Sequence, residues 1–386
     1  MEVAPLSQAD IAARIASLAT LPDEDGIVLP MALDEVSGAH DFQRGQARNY
    51  RHYEPLASAA DEFIEWARTK DSRVYLGLPE FDEAMRGLAP GELALVVGFA
   101  HGGKTQLTLE VLRHNRDRRI AYFSPDETRS AVLVKLACMM HDVSAEDLEN
   151  RIFRGDQSAV KLLRETAHAY PHLAVYDRGL SLFEMSRALD EAEDAWGGRC
   201  ELAVFDYLEL LPSDEGGDSM VKSQANALKA WGKARNVPLI VLHQASRTKG
   251  ADGQEMTMTS GGYGGEQQAI FLIGVRRKRE ELRARIKELR AKLANPSSNH
   301  RDVLEDALHE AEDDLRRHAN TITFSLLKNK RPPCHLVEES DYTLDMNSGR
   351  LTPFVMRQAG LGTSTTDALR RRVAMQRNFY GEEEPF

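Results

Sequence analysis

The feature that most constrains the fold is the segment from Gly98 to Thr105, GFAHGGKT, which fits the pattern G-x-x-x-x-G-K-[ST]. An apolar run, Leu93 to Val97, precedes this loop, and a helical pattern follows it. Glycines let backbone N–H groups curl around phosphate oxygens, and the start of the following helix adds its dipole. The segment therefore predicts a strand, a phosphate-binding loop and a helix, and a chance glycine turn is the alternative.

Two residues of this loop have specific predicted roles. Lys104 places a positive charge on the β- and γ-phosphates of ATP, and Thr105 offers a hydroxyl to Mg²⁺. The residues predicted to contact the nucleotide are contiguous: Gly98, Phe99, Ala100, His101, Gly102, Gly103, Lys104, Thr105 and Gln106.

Apolar strand patterns and helical patterns alternate from about residue 72 onward. This alternation predicts an α/β fold with a mostly parallel sheet covered by helices on both faces. The predicted strands are 93–97, 119–124, 172–176, 201–205, 238–242, 269–274 and 321–327. The predicted helices are 104–115, 129–140, 157–169, 181–194 and 219–235.

Residues 276–318 interrupt the alternation with two helical patterns that flank a turn at 295–299. Their apolar residues follow a coiled-coil spacing and are Leu282, Ile286, Leu289, Leu293, Leu304, Leu308, Ala311 and Leu315. The spacing predicts an inserted antiparallel helical hairpin. The first arm is basic and the second is acidic, so the arms should attract each other. A self-contained hairpin and an arm that binds a partner or nucleic acid both remain open.

Both ends of the chain have patterns of their own. A short helix is predicted at 7–19 within an irregular arm at 1–54, and an amphipathic helix at 56–69 presents Phe63 on its apolar face. The tail closes on Gly-Glu-Glu-Glu-Pro-Phe, ending at Phe386, which resembles the tip of bacterial single-stranded-DNA-binding proteins. Such a tip docks on partner proteins, and a disordered solubilising tail is the alternative.

Composition limits the classes that remain. The net charge of −11 argues against a protein that covers DNA with its whole surface, although local basic loops still allow binding. An acidic total that only maintains solubility is the alternative. No apolar run is long enough to span a membrane, and the N-terminus lacks a signal-peptide pattern. Cys138, Cys200 and Cys334 lack metal-ligand spacing and indicate reduced thiols in a cytoplasm.

Acidic and amide side chains follow three of the predicted strands. Asp206 ends the strand 201–205, where it can orient Mg²⁺ through water, and an ordinary strand-end aspartate is the alternative. Asp126 and Glu127 follow the second strand, where one activates the attacking water and the other caps a helix that starts near Thr128. Gln244 ends a further strand and can report loss of the γ-phosphate, or it is a polar residue leaving a strand.

Basic residues supply the remaining candidates. Arg247 and Lys249 lie in a glycine-rich loop that can grip a nucleic-acid backbone, and Lys222 ends the loop 213–222, which can face a pore. Lys328, Lys330 and Arg331 follow the strand 321–327, too far along the fold to serve their own phosphate loop. In a ring, one of them can reach the nucleotide of a neighbour as a trans finger, and a solvated strand end is the alternative.

Several ordered motifs over roughly 73–355 resemble the C-terminal motor domain of DnaB-type replicative helicases, which has a RecA-like fold. The resemblance is greatest to the short DnaB-like helicases of actinobacterial phages. Besides the phosphate loop, the matching segments are GLPEFDEAMRGLAPGEL from Gly77, YFSPDET from Tyr122, FDYLEL from Phe205, VPLIVLHQ from Val237 and GEQQA from Gly265. The family's Lys-x-Arg finger here reads Lys328-Asn329-Lys330, and its single catalytic Glu reads Asp-Glu.

The resemblance implies an ATP-dependent DNA helicase that encircles single-stranded DNA as a homo-oligomeric ring, expected to be hexameric. It divides the chain into an arm at 1–54, a linker helix at 55–71 that can dock on a neighbouring subunit, a motor at 72–355 and a tail at 356–386. The hairpin or tail would recruit a replication partner in the cytoplasm, which is the host's if a phage encodes the chain. A filament-forming recombination ATPase and a regulatory switch ATPase are the alternatives.

Overall fold

The computed structural model describes residues 56–206, 218–245, 256–257, 268–294 and 301–354. Four predicted segments lie wholly or partly outside these residues: the arm at 1–54 with its helix at 7–19, residues 213–217 of the loop 213–222, the loop of Arg247 and Lys249, and the tail at 356–386. The chain divides into one unit that ends at Ala67 and a second that begins at Arg68.

The described part of the first unit is helix α1, Leu56–Arg68, whose last residue belongs to the second unit. Its sequence spacing predicts this helix. The ring of Phe63 stacks on that of Trp66 with their centroids 5.3 Å apart.

The second unit alternates helices and strands in the order that the sequence predicts, with additions. The helices are α2 (Pro79–Met85), α3 (Lys104–His114), α4 (Arg129–His141), α5 (Ala145–Phe153), α6 (Gln157–Ala169), α7 (Leu182–Trp196), α8 (Asp218–Arg235), α9 (Lys278–Leu293) and α10 (Arg301–Arg317). The strands are β1 (Leu93–Gly98), β2 (Ile120–Phe123), β3 (Leu173–Tyr176), β4 (Leu202–Phe205), β5 (Leu239–Gln244), β6 (Phe271–Arg277), β7 (Thr321–Asn329), β8 (Val337–Leu344) and β9 (Leu351–Pro353).

These strands form one sheet in the order β3-β2-β4-β5-β1-β6-β7-β8-β9. The strands from β3 to β6 pair in parallel, and β7, β8 and β9 continue the sheet in antiparallel pairing. The fold is therefore α/β with a mostly parallel sheet, as predicted. Because β1 lies in the middle, the loop that follows it opens at the centre of the carboxyl edge of the parallel strands.

The central strands are buried on both faces, which explains their continuous apolar sequence. On β1, Ala94 and Val96 face a core shared with α2, α3 and α4, whereas Leu95 and Val97 face a core shared with α7 and α8. Burial on both faces fixes the register of β1, since a slip by one residue would exchange these two sets of side chains.

Local sequence signals set several helix ends. The hydroxyl of Thr128 accepts a hydrogen bond from Ala131 N–H at 3.2 Å and begins α4. Ser181 and Glu184 form a capping box at the start of α7, and Gly197 ends that helix in the left-handed conformation. Thr128 itself is therefore the cap of α4, and the expectation that Asp126 or Glu127 caps this helix is wrong.

The predicted hairpin is present as α9 and α10, inserted between β6 and β7. Ile286, Leu289 and Ala311 are buried along the seam. Among the described ion pairs, only that between Arg290 and Glu312, at 2.7 Å, joins the two arms. Most of the other charges pair along their own helix, so apolar packing holds the hairpin together more than attraction between the arms.

Four elements were not predicted from the sequence: α2, α5, β8 and β9. Strand β8 contains several acidic residues, and only some of its positions are buried. It has this mixed pattern because it lies near the edge of the sheet. Helix α5 is short and buries only Leu148 completely. In the described part of the chain, no helix is long and apolar enough to cross a membrane.

Candidate active site

The predicted site residues meet at the carboxyl edge of the parallel strands. The register aligns Gly98 of β1 with Gln244 of β5, and Phe123 of β2 with Phe205 of β4. Asp206 N–H then donates to Phe123 C=O at 2.8 Å, which continues the pairing by one residue. Side chains that follow β1, β2 and β4 therefore share one edge of the sheet.

The phosphate loop needs glycine for steric and conformational reasons. A Cβ on Gly98 would lie 2.5 Å from the carbonyl oxygen of Val275, so only a residue without a side chain fits where the loop leaves β1. Gly103 has a φ of +110°, and a Cβ there would lie 2.8 Å from Cδ1 of Ile322. His101 also has a positive φ, of +59°. The loop is thus a tight curl that ends at the first turn of α3.

Lys104 is the first residue of α3, and its ammonium group folds over the loop. Nζ donates to the carbonyl oxygens of Gly98 at 2.7 Å and Phe99 at 3.0 Å. Two residues later, the Gln106 amide donates to the carbonyl of Gly349, which lies in the turn between β8 and β9. The start of α3 is therefore joined to both the loop and the antiparallel end of the sheet.

Asp206 is the buried acid of the site, with 7% of its surface exposed. Its Oδ2 accepts hydrogen bonds from the Tyr122 hydroxyl at 3.0 Å and the Thr105 hydroxyl at 3.3 Å. Burial raises the pKa of Asp206, and the charge of Glu127 raises it further, whereas Tyr122 and Lys104 act against this rise. The arrangement brings the two predicted metal residues, Thr105 and Asp206, into direct contact.

The two adjacent acids after β2 have different surroundings. Asp126 is exposed, whereas Glu127 is partly buried and pairs through Oε1 with Lys135 on α4. The other oxygen, Oε2, is buried and accepts no hydrogen bond from any described residue. Glu127 is close enough to contribute to the electrostatics of Asp206 and Tyr122. The geometry therefore favours Glu127 over Asp126 at this site.

Gln244 also lies at the carboxyl edge of the parallel strands. It is the last residue of β5 and aligns with Gly98, and the next residue, Ala245, donates its N–H to Gly98 C=O at 3.0 Å. Gln244 thus lies beside the first residue of the phosphate loop, where its predicted role as a reporter of the γ-phosphate would place it.

The basic end of β7 lies at the opposite edge of the sheet. Lys328 aligns with Leu272 of β6, which aligns with Leu95 near the start of β1. Lys330 N–H donates to Ile270 C=O, which precedes β6. At ~3.3 Å per residue, this end lies roughly 16 Å along the strands from the phosphate loop. Lys328 and Lys330 therefore lie far from the phosphate loop of their own subunit.

Arg331 does not fit the predicted role of a trans finger. It is 8% exposed, pairs with Glu92, donates to Gly87 C=O at 2.7 Å, and lies 5.1 Å from the ring centroid of Phe271. The chain turns inward after β7, so the guanidinium group is used within its own fold. Among the three basic candidates, Lys328 is partly exposed and Lys330 is exposed.

Residues 74–260 match the family model of the DnaB-like helicase C terminal domain. Over these residues the sequence is similar to that domain family. Over 208 residues it is 26% identical to the replicative DNA helicase DnaB of Leifsonia xyli subsp. xyli (strain CTCB07), a match that covers 50% of this chain and 45% of that protein. The match thus spans a little under half the length of this curated relative.

Solved structures share the fold of this chain. A solved ATPase domain superposes with a TM-score of 0.58 and 15% identity, over 78% of this chain and 99% of that one. A DnaB-like replicative helicase, described with its interactions with primase, gives 0.58 and 16% identity over 90% of this chain and 77% of that one. The RecA-like architecture predicted from the sequence is confirmed.

The predicted DNA contacts lie mostly outside the described residues. Arg247 and Lys249 lie outside the described residues, as do residues 213–217 of the predicted pore loop. Lys222 is exposed, and it lies on helix α8, which begins at Asp218. The predicted loop at 213–222 is therefore too long at its C-terminal end.

Two residues contact the site acids without having been predicted from the sequence, Tyr122 and Lys135. Tyr122 is fully buried in β2, where the apolar strand pattern concealed its hydroxyl group. Burial and the charge of Asp206 raise its pKa well above the usual value. Lys135 lies on α4, two turns after its partner Glu127, and only the fold shows that it pairs with this acid. A tyrosine inside an otherwise apolar strand beside a predicted metal site is the signal that was available.

Proposed function

We propose that this chain is an ATP-dependent DNA helicase and translocase that acts on single-stranded DNA in replication. ATP would be hydrolysed at the subunit interfaces of a homo-oligomeric ring, expected to be a hexamer. The observation that carries the proposal is the convergence of Lys104, Thr105, Asp206 and Glu127 at one edge of the DnaB-like domain.

The phosphate loop supports the nucleotide part of the proposal. The ammonium group of Lys104 can turn from the Gly98 and Phe99 carbonyls to the β- and γ-phosphates, since Lys104 and both carbonyls belong to the phosphate loop. The N-terminus of α3 points its N–H groups at the same place. Gly98 and Gly103 keep the loop narrow enough for backbone contacts.

The oxygen donors at this edge fit Mg²⁺. Thr105 Oγ1 and Asp206 Oδ2 are 3.3 Å apart, and hard cations of this kind take oxygen ligands from one or two protein groups together with substrate phosphates and water. Bound there, the ion would supply neutralisation of the charge that develops on the β- and γ-phosphates. Tyr122 holds the carboxylate of Asp206 in place for this purpose.

Glu127 is the proposed base that activates the attacking water. Lys135 engages one carboxylate oxygen, which leaves Oε2 as a buried acceptor without a described donor. A water molecule that donates to Oε2 would be oriented towards the γ-phosphate on the side of β2 and β4. Asp126 is exposed and is not assigned this role.

A neighbouring subunit would complete the site. Lys328 and Lys330 lie at the edge opposite the phosphate loop, and a head-to-tail ring brings one subunit's amino edge to the next subunit's carboxyl edge. Lysine offers a point charge where arginine would offer a planar fork. We therefore expect Lys330 to accelerate hydrolysis in trans, with less geometric control than an arginine finger gives.

DNA would be gripped locally, because the net charge of −11 disfavours a broad basic surface. Arg247, Lys249 and Lys222 are the proposed backbone contacts, and Gln244 would couple loss of the γ-phosphate to the loop that follows it. The hairpin or the acidic Pro-Phe tail is the proposed contact with a replication partner. The proposed place of action is the cytoplasm, which is the host's if a phage encodes the chain.

The test compares ATPase rate with and without single-stranded DNA, together with strand displacement on a forked duplex. A helicase shows DNA-stimulated hydrolysis, displacement that requires ATP, and closed rings by electron microscopy. The Lys104→Ala variant should lose both activities, while Lys161→Ala, which removes an exposed lysine on α6, should retain them.

Other outcomes would support the alternatives. DNA-stimulated ATPase with open filaments and no strand displacement would favour a recombination ATPase. ATPase that ignores DNA would favour a regulatory switch. Full ATPase activity in Lys104→Ala would overturn the assignment of the nucleotide site.

A further inference from the structure

A groove of about 430 Å³ lies between the two helices of the hairpin, α9 and α10. Arg283, Lys287 and Arg290 recur at helical spacing along its α9 side, and all three are exposed. Ile286 of α9 and Leu315 of α10 also line the groove, and both belong to the apolar seam of the hairpin. A basic rim beside buried or partly buried apolar residues suits an acidic peptide that also carries a large apolar side chain.

The cations of this groove are only weakly engaged by the rest of the chain. Arg283 pairs with Glu280 at 3.1 Å and Arg290 with Glu312 at 2.7 Å, whereas none of the described ion pairs includes Lys287. Both pairs are exposed to solvent, where an ion pair contributes about 0–1 kcal/mol, so exchanging either acid for another carboxylate costs little. With Glu312 as the acid among its lining residues, the groove keeps an excess of positive charge on a chain whose net charge is −11.

The described part of the chain ends beside the base of the hairpin. Phe354 is its last residue, and the ring of Phe354 lies 4.6 Å from the ring of His318, centroid to centroid. His318 directly follows Arg317, the last residue of α10. At 1.5 Å per residue, Leu315 and Glu312 lie roughly 5–9 Å along the helix from this point. The chain beyond Phe354 therefore starts close to the groove.

The sequence beyond Phe354 contains a segment that is complementary to the groove. Residues 382–384 are three consecutive glutamates, and Pro385 and Phe386 follow them. Between 355 and 381 the arginines outnumber Asp367, so the negative charge of this part of the chain is concentrated at 382–384. About 30 residues separate Phe354 from the glutamates, and at up to ~3.3 Å each they span far more than the distance to the groove.

We propose that the groove between α9 and α10 binds the segment 381–386 of the same chain. The glutamates at 382–384 would pair with the cations of the groove, and the ring of Phe386 would cover its apolar residues. Covalent attachment favours this contact, since a short tether gives an effective concentration on the order of millimolar. A replication partner that binds the hairpin or the tail would then have to displace one from the other. Neither ATP hydrolysis nor DNA unwinding enters this contact, so it is independent of the proposed helicase activity.

The test measures, by fluorescence anisotropy, the binding of a labelled peptide with the sequence of residues 381–386. The full chain is compared with a tail variant that combines Glu382→Lys, Glu383→Lys and Glu384→Lys. The tail variant should bind the peptide at least about tenfold more tightly, because its own tail no longer competes for the groove. Binding should weaken as salt is raised, since exposed charges are screened. Equal affinities of the two chains would overturn the proposal.

Charge reversal in the groove tests where the peptide binds. Arg283→Glu with Lys287→Glu, added to the tail variant, should weaken peptide binding by at least about fivefold, because two attractions become repulsions. The matched control is Arg285→Glu with Lys292→Glu, which reverses two exposed charges of α9 outside the groove. Lys292 pairs with Glu288, just as Arg283 pairs with an acid of its own helix. The control should change affinity by less than about twofold, and equal losses in both would contradict binding in the groove.

A second peptide makes the test independent of how a variant hairpin folds. This peptide has glutamine at each of the three glutamate positions and is titrated into the tail variant, whose hairpin is unchanged. It should bind at least about tenfold more weakly than the acidic peptide, since its attraction to the cations is lost. Equal binding of the two peptides would overturn the proposed charge pairing.

A mixing experiment identifies which chain supplies the tail. The tail variant is mixed with a chain that has an intact tail and the reversed groove charges Arg283→Glu and Lys287→Glu. Total protein stays below the dissociation constant of the peptide, so that free tails do not compete in solution. A tail that binds within its own chain leaves peptide binding to the tail variant unchanged. Progressive loss of peptide binding on mixing would mean that a second copy supplies the tail and would contradict the proposal.

Discussion

The Tyr122 hydroxyl and the Thr105 hydroxyl both donate to the same oxygen, Oδ2 of Asp206, at 3.0 and 3.3 Å. Tyr122 is fully buried in the core shared with α2, α3 and α4 and cannot exchange this bond for water without leaving its place. It therefore fixes the orientation of the Asp206 carboxylate. This makes Tyr122 a positioning residue for the metal that Asp206 is proposed to hold.

Tyr122→Phe should raise the Mg²⁺ concentration needed for half-maximal ATPase by about tenfold, since one hydrogen bond to a charged group is lost. The ring and its packing remain, so the rate at saturating Mg²⁺ should change by less than about threefold. The measurement is ATPase rate against Mg²⁺ at fixed ATP.

Tyr176→Phe provides the matched control. The Tyr176 hydroxyl also donates one hydrogen bond, at 2.8 Å, but its acceptor is the Ala188 carbonyl on α7. This variant should leave the Mg²⁺ dependence unchanged. Equal shifts in the two variants would show that Tyr122 acts only through general stability.

The phosphate loop could be predicted because its chemistry depends on contiguous residues. Gly98, Gly103 and Lys104 act through local backbone geometry and the strand and helix beside them, all of which the sequence displays directly. The parallel sheet could be predicted because burial on both faces produces uninterrupted apolar strands.

Other features depend on contacts between distant parts of the chain. Nothing in the sequence near Arg331 shows that Glu92 lies beside it inside the fold, so three neighbouring basic candidates looked equivalent. The choice between Asp126 and Glu127 depends on Lys135 and on burial beside Asp206.

Glu127→Gln should lower the ATPase rate by roughly 10²- to 10⁴-fold, the range for loss of a positioned general base. ATP binding should persist, because the phosphate loop is untouched. Asp126→Asn removes the neighbouring charge from an exposed position and should retain activity within about threefold. The rates come from steady-state assays with DNA, and binding comes from calorimetry. The opposite ranking of these two variants would reassign the base to Asp126.

Lys330→Ala should lower ATPase in the ring by at least about tenfold, since a trans cation stabilises the charge on the transferred phosphate. Mixing Lys330→Ala with Glu127→Gln subunits should restore activity, because some interfaces then combine an intact Glu127 with an intact Lys330. Activity is measured across mixing ratios, with ring assembly checked by native mass spectrometry. An absence of restoration would mean that both residues serve the same subunit's site.

Arg331→Ala should behave differently from Lys330→Ala. It leaves Glu92 without its partner in a largely buried place and should lower the free energy of unfolding by about 3–5 kcal/mol. Lys330→Ala, at an exposed position, should change this free energy by less than about 0.5 kcal/mol. Urea unfolding measures both. A stable Arg331→Ala chain with impaired ATPase would return Arg331 to the trans site.

Asp206→Asn should increase stability and abolish function, with a pH dependence that identifies the cause. Burial raises the pKa of Asp206, so the folded chain binds this proton more tightly than the unfolded chain does. As pH rises from the ordinary aspartate value of about 3.9 through the raised pKa, the unmodified chain therefore loses stability that Asp206→Asn keeps. The gap between the two urea midpoints in EDTA should be widest near pH 8 and should close towards pH 4. Added Mg²⁺ and ATP should stabilise the unmodified chain much more than the variant. A gap that is constant with pH would mean that the ionisation of Asp206 is not the source of the difference.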